Sequence, residues 1–369
     1  MSIALPLSYR GLDYNTMNDY IIYKLFFGDK MQEAMLWHKE RNGVRCDLCN
    51  RRCFISKDKR GFCLTRLNKN NKLFSLNYGK LCSISVDPIE KKPLFHFYPG
   101  STSLSVASFG CNFKCQFCCN SQLSQSVGST EEEIGGDEYA PEEIVRKAEK
   151  SNCRSISYTY TEPTMFFEFA FKTAKLAHRS NILNTFVTNG YMTEDAVKKI
   201  SKHLDAATVD FKASGDSEFY SKFMSVPDVN PIFASLKQMK KQRIFLEVTN
   251  LIVPQVGDDI EQCRKLAEWI NTEIGSEVPF HILQFFPSHQ LTELPLTPIS
   301  TLEKCIDEAK KAGLRYVYIG NVPGHNAENT YCYNCREPLI TRSGTNVKNI
   351  NLFKDRCPNC GLKINILTD

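Results

Sequence analysis

The sequence predicts an α/β fold, a partial TIM-like barrel of six strand–helix units with small cysteine-rich metal-binding modules at both ends. Two observations carry this prediction. Apolar, β-branched segments alternate with helix-patterned segments through the middle of the 369-residue chain, as is typical of βαβ units and a parallel sheet. Cysteines cluster on both sides of this region. The expected division is an N-terminal region with a four-cysteine module (residues 1–100), the barrel (101–324) and a C-terminal zinc ribbon (325–369).

The barrel strands are predicted from apolar runs that are rich in β-branched residues. These runs cover residues 103–108, 155–160, 184–188, 207–211, 244–249, 280–286 and 315–319. Helical patterns fill the gaps between them. One begins at Pro141, with Glu142 and Glu143 in its first turn, as expected for a helix start. The other helical patterns cover residues 165–178, 194–203, 259–274 and 300–312.

Composition narrows the class of protein. The hydrophobic content of 42% is enough for a buried core and excludes a disordered chain. The net charge of +5 is mild, so nucleic acid is not a predicted partner. The opening residues lack a secretory pattern, and no apolar run reaches the roughly 18 residues of a membrane span, so the expected location is the cytoplasm. Thiols stay reduced there, and clustered cysteines then indicate metal ligands or redox groups.

The middle cysteine cluster, here called the cysteine loop, consists of Cys111, Cys115 and Cys118 directly after a predicted strand. Three thiolates on one loop can hold three irons of a cubane cluster and leave the fourth iron without a protein ligand. Such an iron offers a coordination site to a substrate or cofactor. The alternative is a zinc loop whose fourth ligand lies elsewhere, for instance at Cys119.

The flanking clusters contain four cysteines each. The C-terminal ribbon has two pairs separated by 21 residues, a spacing that predicts structural zinc, with a rubredoxin-like iron site as the alternative. Its cysteines are Cys332, Cys335, Cys357 and Cys360. The N-terminal cysteine module could hold either zinc or an auxiliary iron–sulfur cluster, and the spacing does not decide between them. Its cysteines are Cys46, Cys49, Cys53 and Cys63.

Polar side chains gather where the predicted barrel strands end, which is where such barrels place their active sites. They are Glu162, Asn189, Asp210, Lys212 and Asn250. Each has a simpler explanation: ordinary loop polarity, a turn at residues 188–190, or a strand-end salt bridge between Asp210 and Lys212. His281 lies within an apolar strand and is interpreted as a core residue. No residue is assigned a direct catalytic role.

The spacing of the cysteine loop, with the aromatic Phe117 before its last cysteine, resembles the motif of the radical S-adenosylmethionine (SAM) superfamily. The resemblance implies a [4Fe-4S] cluster whose open iron binds SAM through its amino and carboxylate groups. It also implies an oxygen-sensitive, anaerobic chemistry, in which reduction cleaves SAM to methionine and a 5′-deoxyadenosyl radical that abstracts hydrogen.

The same resemblance implies SAM-binding roles for the residues around the cysteine loop, namely Phe117, Glu162, Asn189, Asp210 and Lys212. Glu162 lies in a segment similar to the family's second-strand segment near the SAM amino group. Asp210 and Lys212 resemble the Asp-x-Lys of pyruvate formate-lyase activating enzymes, which lies beside the SAM carboxylate.

Longer stretches narrow the resemblance to radical SAM enzymes of the AmmeMemoRadiSam system. They cover residues 44–53, 60–63, 86–97, 158–163, 187–191 and 316–323, within a similarity that runs from about residue 40 to the end. One departure is Cys119, where relatives have glutamine. The implied function is hydrogen abstraction from an unidentified substrate.

Two other functions stay open at this stage. One is an activating enzyme that installs a glycyl radical on a partner enzyme. The other is a zinc-ribbon interaction protein with a vestigial barrel, against which the intact cysteine loop and Lys212 argue. The implied partners are an external flavodoxin- or ferredoxin-like reductant and, in trans, an AMMECR or Memo protein or a glycyl radical enzyme.

Overall fold

The computed structural model describes residues 31–127 and 134–368. The opening residues, which lack a secretory pattern in the sequence, lie outside the described residues, and so do residues 128–133. Within the part of the chain that is described, no helix is long and apolar enough to cross a membrane.

The N-terminal region forms small antiparallel sheets. Its strands are β1 (Gln32–Glu33), β2 (Trp37–Glu40), β3 (Gly43–Cys46), β4 (Phe54–Ser56), β5 (Arg66–Lys69), β6 (Lys72–Ser75) and β7 (Lys80–Leu81). Strands β2, β3 and β4 form one meander, and β1, β6 and β5 form a second sheet. The N-terminal cysteine module lies on the meander and on the loop that leads from it to β5. This region therefore has its own local framework before the barrel begins.

The main sheet contains β8 (Ser83–Pro88), β9 (Thr102–Ala107), β11 (Ser155–Tyr158), β12 (Leu183–Thr188), β13 (Ala206–Lys212), β14 (Phe245–Ile252), β15 (Phe280–Gln284) and β16 (Val317–Gly320), while the short β10 (Asp137–Glu138) pairs with β7. Strand β8 is antiparallel to β9, and the other seven strands run parallel in chain order. No pairing joins β8 to β16 among the described residues, so the sheet is open. The predicted α/β fold with a parallel sheet is confirmed, and each of the seven apolar runs of the sequence forms one of its seven parallel strands.

Helices connect the parallel strands. They are α1 (Ser121–Ser124), α2 (Pro141–Lys150), α3 (Phe167–Arg179), α4 (Glu194–Ile200), α5 (Ser217–Met224), α6 (Asn230–Lys241), α7 (Ile260–Trp269) and α8 (Ile299–Lys311). The five predicted helices are confirmed within a few residues of their bounds. The sequence interpretation missed α5 and α6, although Asp216 caps α5 by accepting a hydrogen bond from the Phe219 amide. Proline in the first turn of α6 was a second available signal.

The C-terminal ribbon packs against the barrel and shares its core. Its strands are β17 (Thr330–Tyr331), β18 (Pro338–Ser343) and β19 (Asn346–Ile350). Leu339 and Ile340 lie in one apolar cluster with Phe95, which follows β8, and with Tyr318 of β16. The buried Arg342 donates to the Phe95 carbonyl at 2.8 Å. A segment too short for a core of its own is thus fixed in place by the barrel.

A buried carboxylate anchors the antiparallel edge of the main sheet. Asp87 on β8 accepts hydrogen bonds from Lys91 and Lys92 at 2.8 Å each, from Ser105 on β9 at 2.7 Å, and from the Tyr160 hydroxyl. The Lys92 side chain is only 1% exposed. Because a buried ammonium needs a counter-charge, Asp87 neutralises Lys92 within the turn after β8. The hydrogen bond from Tyr160 then ties this turn to the loop after β11.

Replacing Asp87 with Asn should lower the free energy of unfolding by about 3–5 kcal/mol, because Lys92 would keep a buried charge without its partner. Urea denaturation of the purified protein measures this loss. Asp307→Asn, on the exposed face of α8, is the matched control and should change stability little. Equal stability of the two variants would contradict the anchoring role of Asp87.

Candidate active site at the carboxyl ends of the barrel strands

The cysteine loop follows β9 and is held from two sides. The amides of Lys114 and Gln116 donate to the last carbonyls of α5, at 3.0 and 2.9 Å. Gly110 has a φ of +105°, and a Cβ there would come within 2.5 Å of the Thr65 methyl group. Glycine therefore satisfies both the backbone conformation and the close approach of the N-terminal region. The conformation of the cysteine loop is therefore fixed by its contacts with α5 and with the N-terminal region.

The thiols of this loop lie in a setting that disfavours an uncompensated negative charge. Burial raises the pKa of Cys115 to about 12, and the nearby Lys212 charge opposes only part of that shift. Burial likewise holds the pKa of Cys111 well above its ordinary value. The Phe113 amide, 3.3 Å from the Cys111 sulfur, is available to a thiolate there. These thiols fit a metal centre, which would supply the missing positive charge.

The sulfur spacing argues against the zinc alternative for this loop. Around a tetrahedral zinc with bonds of about 2.3 Å, neighbouring sulfurs are about 3.8 Å apart. No three sulfurs of the cysteine loop, with or without the exposed Cys119, lie within 4.8 Å of one another in the described chain. A cubane cluster places its irons at separate corners and needs the wider spacing.

Glu162 is a buried carboxylate that accepts from several donors. One oxygen accepts from the Thr164 amide and hydroxyl and, at 2.8 Å, from the Thr188 hydroxyl. The other oxygen accepts from the Asn189 amide at 2.8 Å. Burial raises the pKa of this carboxyl, while these hydrogen bonds oppose the shift. The structure thus gives Glu162 a positioning role between two strand-end loops, and its contact with a SAM ammonium group stays a prediction.

Asn189 reaches the cysteine loop directly. Its side-chain nitrogen donates to the Asn112 side-chain oxygen at 2.7 Å and lies 3.9 Å from the Cys111 sulfur. Gly190 has a φ of +71°, and a Cβ there would lie 2.8 Å from Val209. The turn at residues 188–190 therefore also has a positioning role, because it places the side-chain amide of Asn189 beside Cys111.

Asp210 and Lys212 lie on the same face at the end of β13, as predicted. Their charged groups are 3.4 Å apart, and the Thr249 hydroxyl donates to the other Asp210 oxygen. The Lys212 amide donates to the Tyr220 hydroxyl of α5, the helix whose last carbonyls hold the cysteine loop, and the Lys212 charge lowers the pKa of Cys115 against the larger effect of burial. The Lys212 side chain keeps 19% of its surface exposed. The pair is thus both a strand-end salt bridge and a partly accessible charge beside the cysteine loop.

Phe117 and Asn250 belong to the walls of the site. The Phe117 ring is 6% exposed and packs against Phe219 and Phe285, with ring centres 5.6 and 6.4 Å away. Asn250 is fully buried and holds Ser214 through two hydrogen bonds of 2.8 and 2.9 Å. Ser214 has a φ of +57°, so Asn250 stabilises a strained turn just after Lys212.

His281 lies away from this edge of the sheet. It is the second residue of β15, is 1% exposed and contacts a Glu247 oxygen at 2.7 Å. Its interpretation as a core residue is confirmed. Asn112 was missed by the sequence interpretation, because nothing in a sequence marks an asparagine that two separate loops will contact.

The C-terminal ribbon brings its four sulfurs together. Cys332 and Cys360 are 3.6 Å apart, as are Cys335 and Cys357, and all four sulfurs lie within 4.8 Å of one another. This spacing is close to that of a tetrahedral site for a single ion. The ribbon could therefore hold one metal ion, as its paired cysteines predicted.

Comparison with known proteins identifies the family. Residues 105–270 match the model of the radical SAM superfamily. The protein MJ0808 of Methanocaldococcus jannaschii is 45% identical over 340 residues, which cover 91% of this chain and all of the relative. The chain belongs to the radical SAM superfamily and is similar to enzymes of that class. Membership implies a [4Fe-4S] cluster and SAM, and the half-buried thiols of the cysteine loop, no three of which lie within 4.8 Å of one another among the described residues, fit such a cluster.

Two further matches are more distant. MJ1227 of the same organism, named as a candidate glycyl-radical enzyme activating enzyme, is 26% identical over 241 residues, covering 61% of this chain and 89% of the relative. A solved radical SAM methyltransferase from Sphaerobacter thermophilus aligns with 84% of this chain and 83% of its own, at 12% identity and a TM-score of 0.48.

Replacing Glu162 with Gln should destabilise the protein by about 1–3 kcal/mol, because an amide NH₂ group would face donors that now have an acceptor. Thermal or urea unfolding measures the loss. The exposed Glu142→Gln, at the start of α2, serves as the control. The positioning role would be wrong if Glu162→Gln unfolded at the same denaturant concentration as the wild-type protein.

Proposed function

We propose that this protein is a radical SAM enzyme that abstracts a hydrogen atom from a substrate still to be identified. The observation that carries the proposal is the convergence of the cysteine loop, Asn189 and Lys212 at one edge of the parallel sheet. When bound, the cluster and SAM supply one-electron cleavage of a carbon–sulfur bond, giving methionine and a 5′-deoxyadenosyl radical that takes hydrogen from the substrate.

The chain's own residues bind and orient SAM in this proposal. Lys212 offers an ammonium to the SAM carboxylate, and Asp210 holds that ammonium in place from 3.4 Å. Glu162 acts through Asn189, because its carboxylate fixes the Asn189 backbone beside Cys111. Phe117 closes the apolar wall next to the last cysteine.

A glycyl-radical activating enzyme is the second candidate, and the similarity to MJ1227 favours it. Its substrate would be a backbone glycine of a partner enzyme. The accessory cysteine modules at both ends argue against a minimal activase. We infer that any AMMECR, Memo or glycyl-radical-enzyme partner acts in trans, and that a flavodoxin- or ferredoxin-like protein supplies the electron. The two candidates are separated by the substrate that loses hydrogen. The purified, reduced protein with SAM would form a radical on a glycine of a partner enzyme in one case, and would take hydrogen from a small molecule in the other.

We also infer that the C-terminal ribbon binds zinc. Its four sulfurs have the spacing of a closed tetrahedral site, and a closed zinc site carries no redox chemistry. The expected role is structural, because the ribbon's apolar residues complete a cluster with the barrel.

Replacing Cys111, Cys115 and Cys118 together with Ala should abolish the formation of 5′-deoxyadenosine from SAM under reducing, anaerobic conditions. The physical reason is the loss of all three thiolates on the loop. Chromatographic measurement of 5′-deoxyadenosine checks the result, with Cys82→Ala as the control because Cys82 lies outside all three clusters. Undiminished product from the triple variant would refute the proposed function.

Replacing Lys212 with Ala should weaken SAM binding by about one to two decades, since a shielded charge-assisted contact contributes about 1.5–3 kcal/mol. Lys212→Arg should retain more affinity, because the positive charge remains. Equilibrium binding of SAM to the reconstituted protein measures both. If Lys212 instead transferred a proton, Arg would fail as badly as Ala in turnover, since guanidinium stays protonated. Unchanged affinity in Lys212→Ala would end the orienting role.

A further inference from the structure

The N-terminal cysteine module surrounds one small apolar cavity. All four of its cysteines line this cavity, together with Met165 and Asn112. Cys49 and Cys63 pack directly against Met165. The amide of Cys46 donates to the Cys53 carbonyl at 3.0 Å, which brings the two ends of the turn together. The module is therefore a single site that the fold has assembled from residues 46 to 63.

The sulfur spacing in this module differs from that in the C-terminal ribbon. No three of its sulfurs lie within 4.8 Å of one another in the described chain, whereas all four ribbon sulfurs do. A tetrahedral zinc site requires sulfurs about 3.8 Å apart. The cysteine loop, which belongs to an iron–sulfur family, likewise has no three sulfurs within 4.8 Å of one another among the described residues. Within one molecule, the two kinds of spacing therefore distinguish a single-ion site from a cluster site.

Two buried donors at this cavity have no acceptor among the residues that the structure describes. They are the Arg66 Nε, on a side chain that is 2% exposed, and the Asn112 Nδ2, on a fully buried residue. Both residues line the cavity. The remaining Arg66 nitrogens pair with Glu168 at 2.7 Å and with the Met165 carbonyl. Buried donors without acceptors are rare, and bridging sulfides with cysteine sulfurs would provide acceptors for both.

The cavity lies against the cysteine loop. Thr65 has its hydroxyl 3.3 Å from the Cys63 sulfur, while its methyl group contacts the backbone of Gly110. Arg51, between two cysteines of the module, donates to the Asn112 carbonyl. Asn112 follows Cys111 in sequence, so one residue borders both sites. The two cysteine sites are thus separated by little more than the segments 63–65 and 110–112.

We propose that the N-terminal cysteine module holds a second [4Fe-4S] cluster, ligated by Cys46, Cys49, Cys53 and Cys63, in contact with the loop of the first cluster. Four thiolates leave no iron open, so this cluster carries electrons and does not bind SAM. The assignment goes beyond the proposed function, which requires only the cysteine loop. It can therefore fail while the proposed function stands, and the reverse also holds.

Metal counting on the full chain, reconstituted anaerobically with iron and sulfide, tests the proposal. The wild-type protein should contain about eight irons, against about four for a single cluster. The triple variant Cys111→Ala, Cys115→Ala and Cys118→Ala should keep about four irons and a reducible cluster signal in electron paramagnetic resonance. The double variant Cys46→Ala with Cys49→Ala should lose the irons of the second cluster, and Cys82→Ala should lose no iron.

A potential measurement tests the local geometry without removing a ligand. Thr65→Val keeps the shape of the side chain but removes the hydroxyl beside the Cys63 sulfur. Hydrogen bonds to sulfur stabilise the more negative, reduced form of a cluster. Because Thr65→Val removes such a hydrogen bond, the midpoint potential of the second cluster should become more negative. The first cluster should keep its potential, and Ser235→Ala, another buried hydroxyl, should change neither.

Other metal contents would contradict the proposal. A wild-type protein with about four irons and about two zincs, and a triple variant with zinc but no iron, would assign the N-terminal cysteine module to zinc. If the triple variant does not fold, the iron and zinc content of the wild-type protein alone still separates the two assignments.

Discussion

The buried carboxylate of Glu162 is the interaction on which the arrangement of the site depends. It joins the loop after β11 to the loop after β12 by accepting hydrogen bonds from Thr164, Thr188 and Asn189. Asn189 in turn reaches Asn112 and the Cys111 sulfur. A group that is 2% exposed and fully hydrogen-bonded cannot move without leaving donors unpaired. Three separate loops therefore keep one relative position.

Charge balance explains the surroundings of the cysteines. Burial disfavours the thiolate form at Cys111 and Cys115, so the loop needs positive charge before it can ionise. A bound metal centre would supply such charge, and Lys212 adds to it by lowering the pKa of Cys115. At the N-terminal cysteine module the corresponding cation is Arg66, which lines the cavity. Each predicted cluster thus has a cation of the chain nearby.

The two accessory regions are attached to the barrel in different ways. The C-terminal ribbon contributes apolar residues and Arg342 to a core shared with the barrel, on the side of Phe95 and Tyr318. The N-terminal region instead contacts the cysteine loop itself, through Thr65 and Gly110. The first attachment stabilises the scaffold, whereas the second brings a group of thiols to the edge of the site. This difference in position supports a structural metal in the ribbon and a redox centre in the N-terminal cysteine module.

The sequence by itself determined the parallel α/β architecture, because the strand and helix periods are local properties that each segment carries alone. It also identified the cysteine loop and the ribbon pairs, since ligands on one short loop must be close in space. It did not reveal α5 and α6, whose capping signals at Asp216 and Pro231 were overlooked. Only the tertiary structure decided the role of Glu162, the contacts of Asn112 and the spacing of the N-terminal sulfurs. These depend on contacts between segments that are separated along the chain, which only the folded backbone brings together: Glu162 meets Asn189 at a separation of 27 positions, and Asn112 meets Asn189 at a separation of 77.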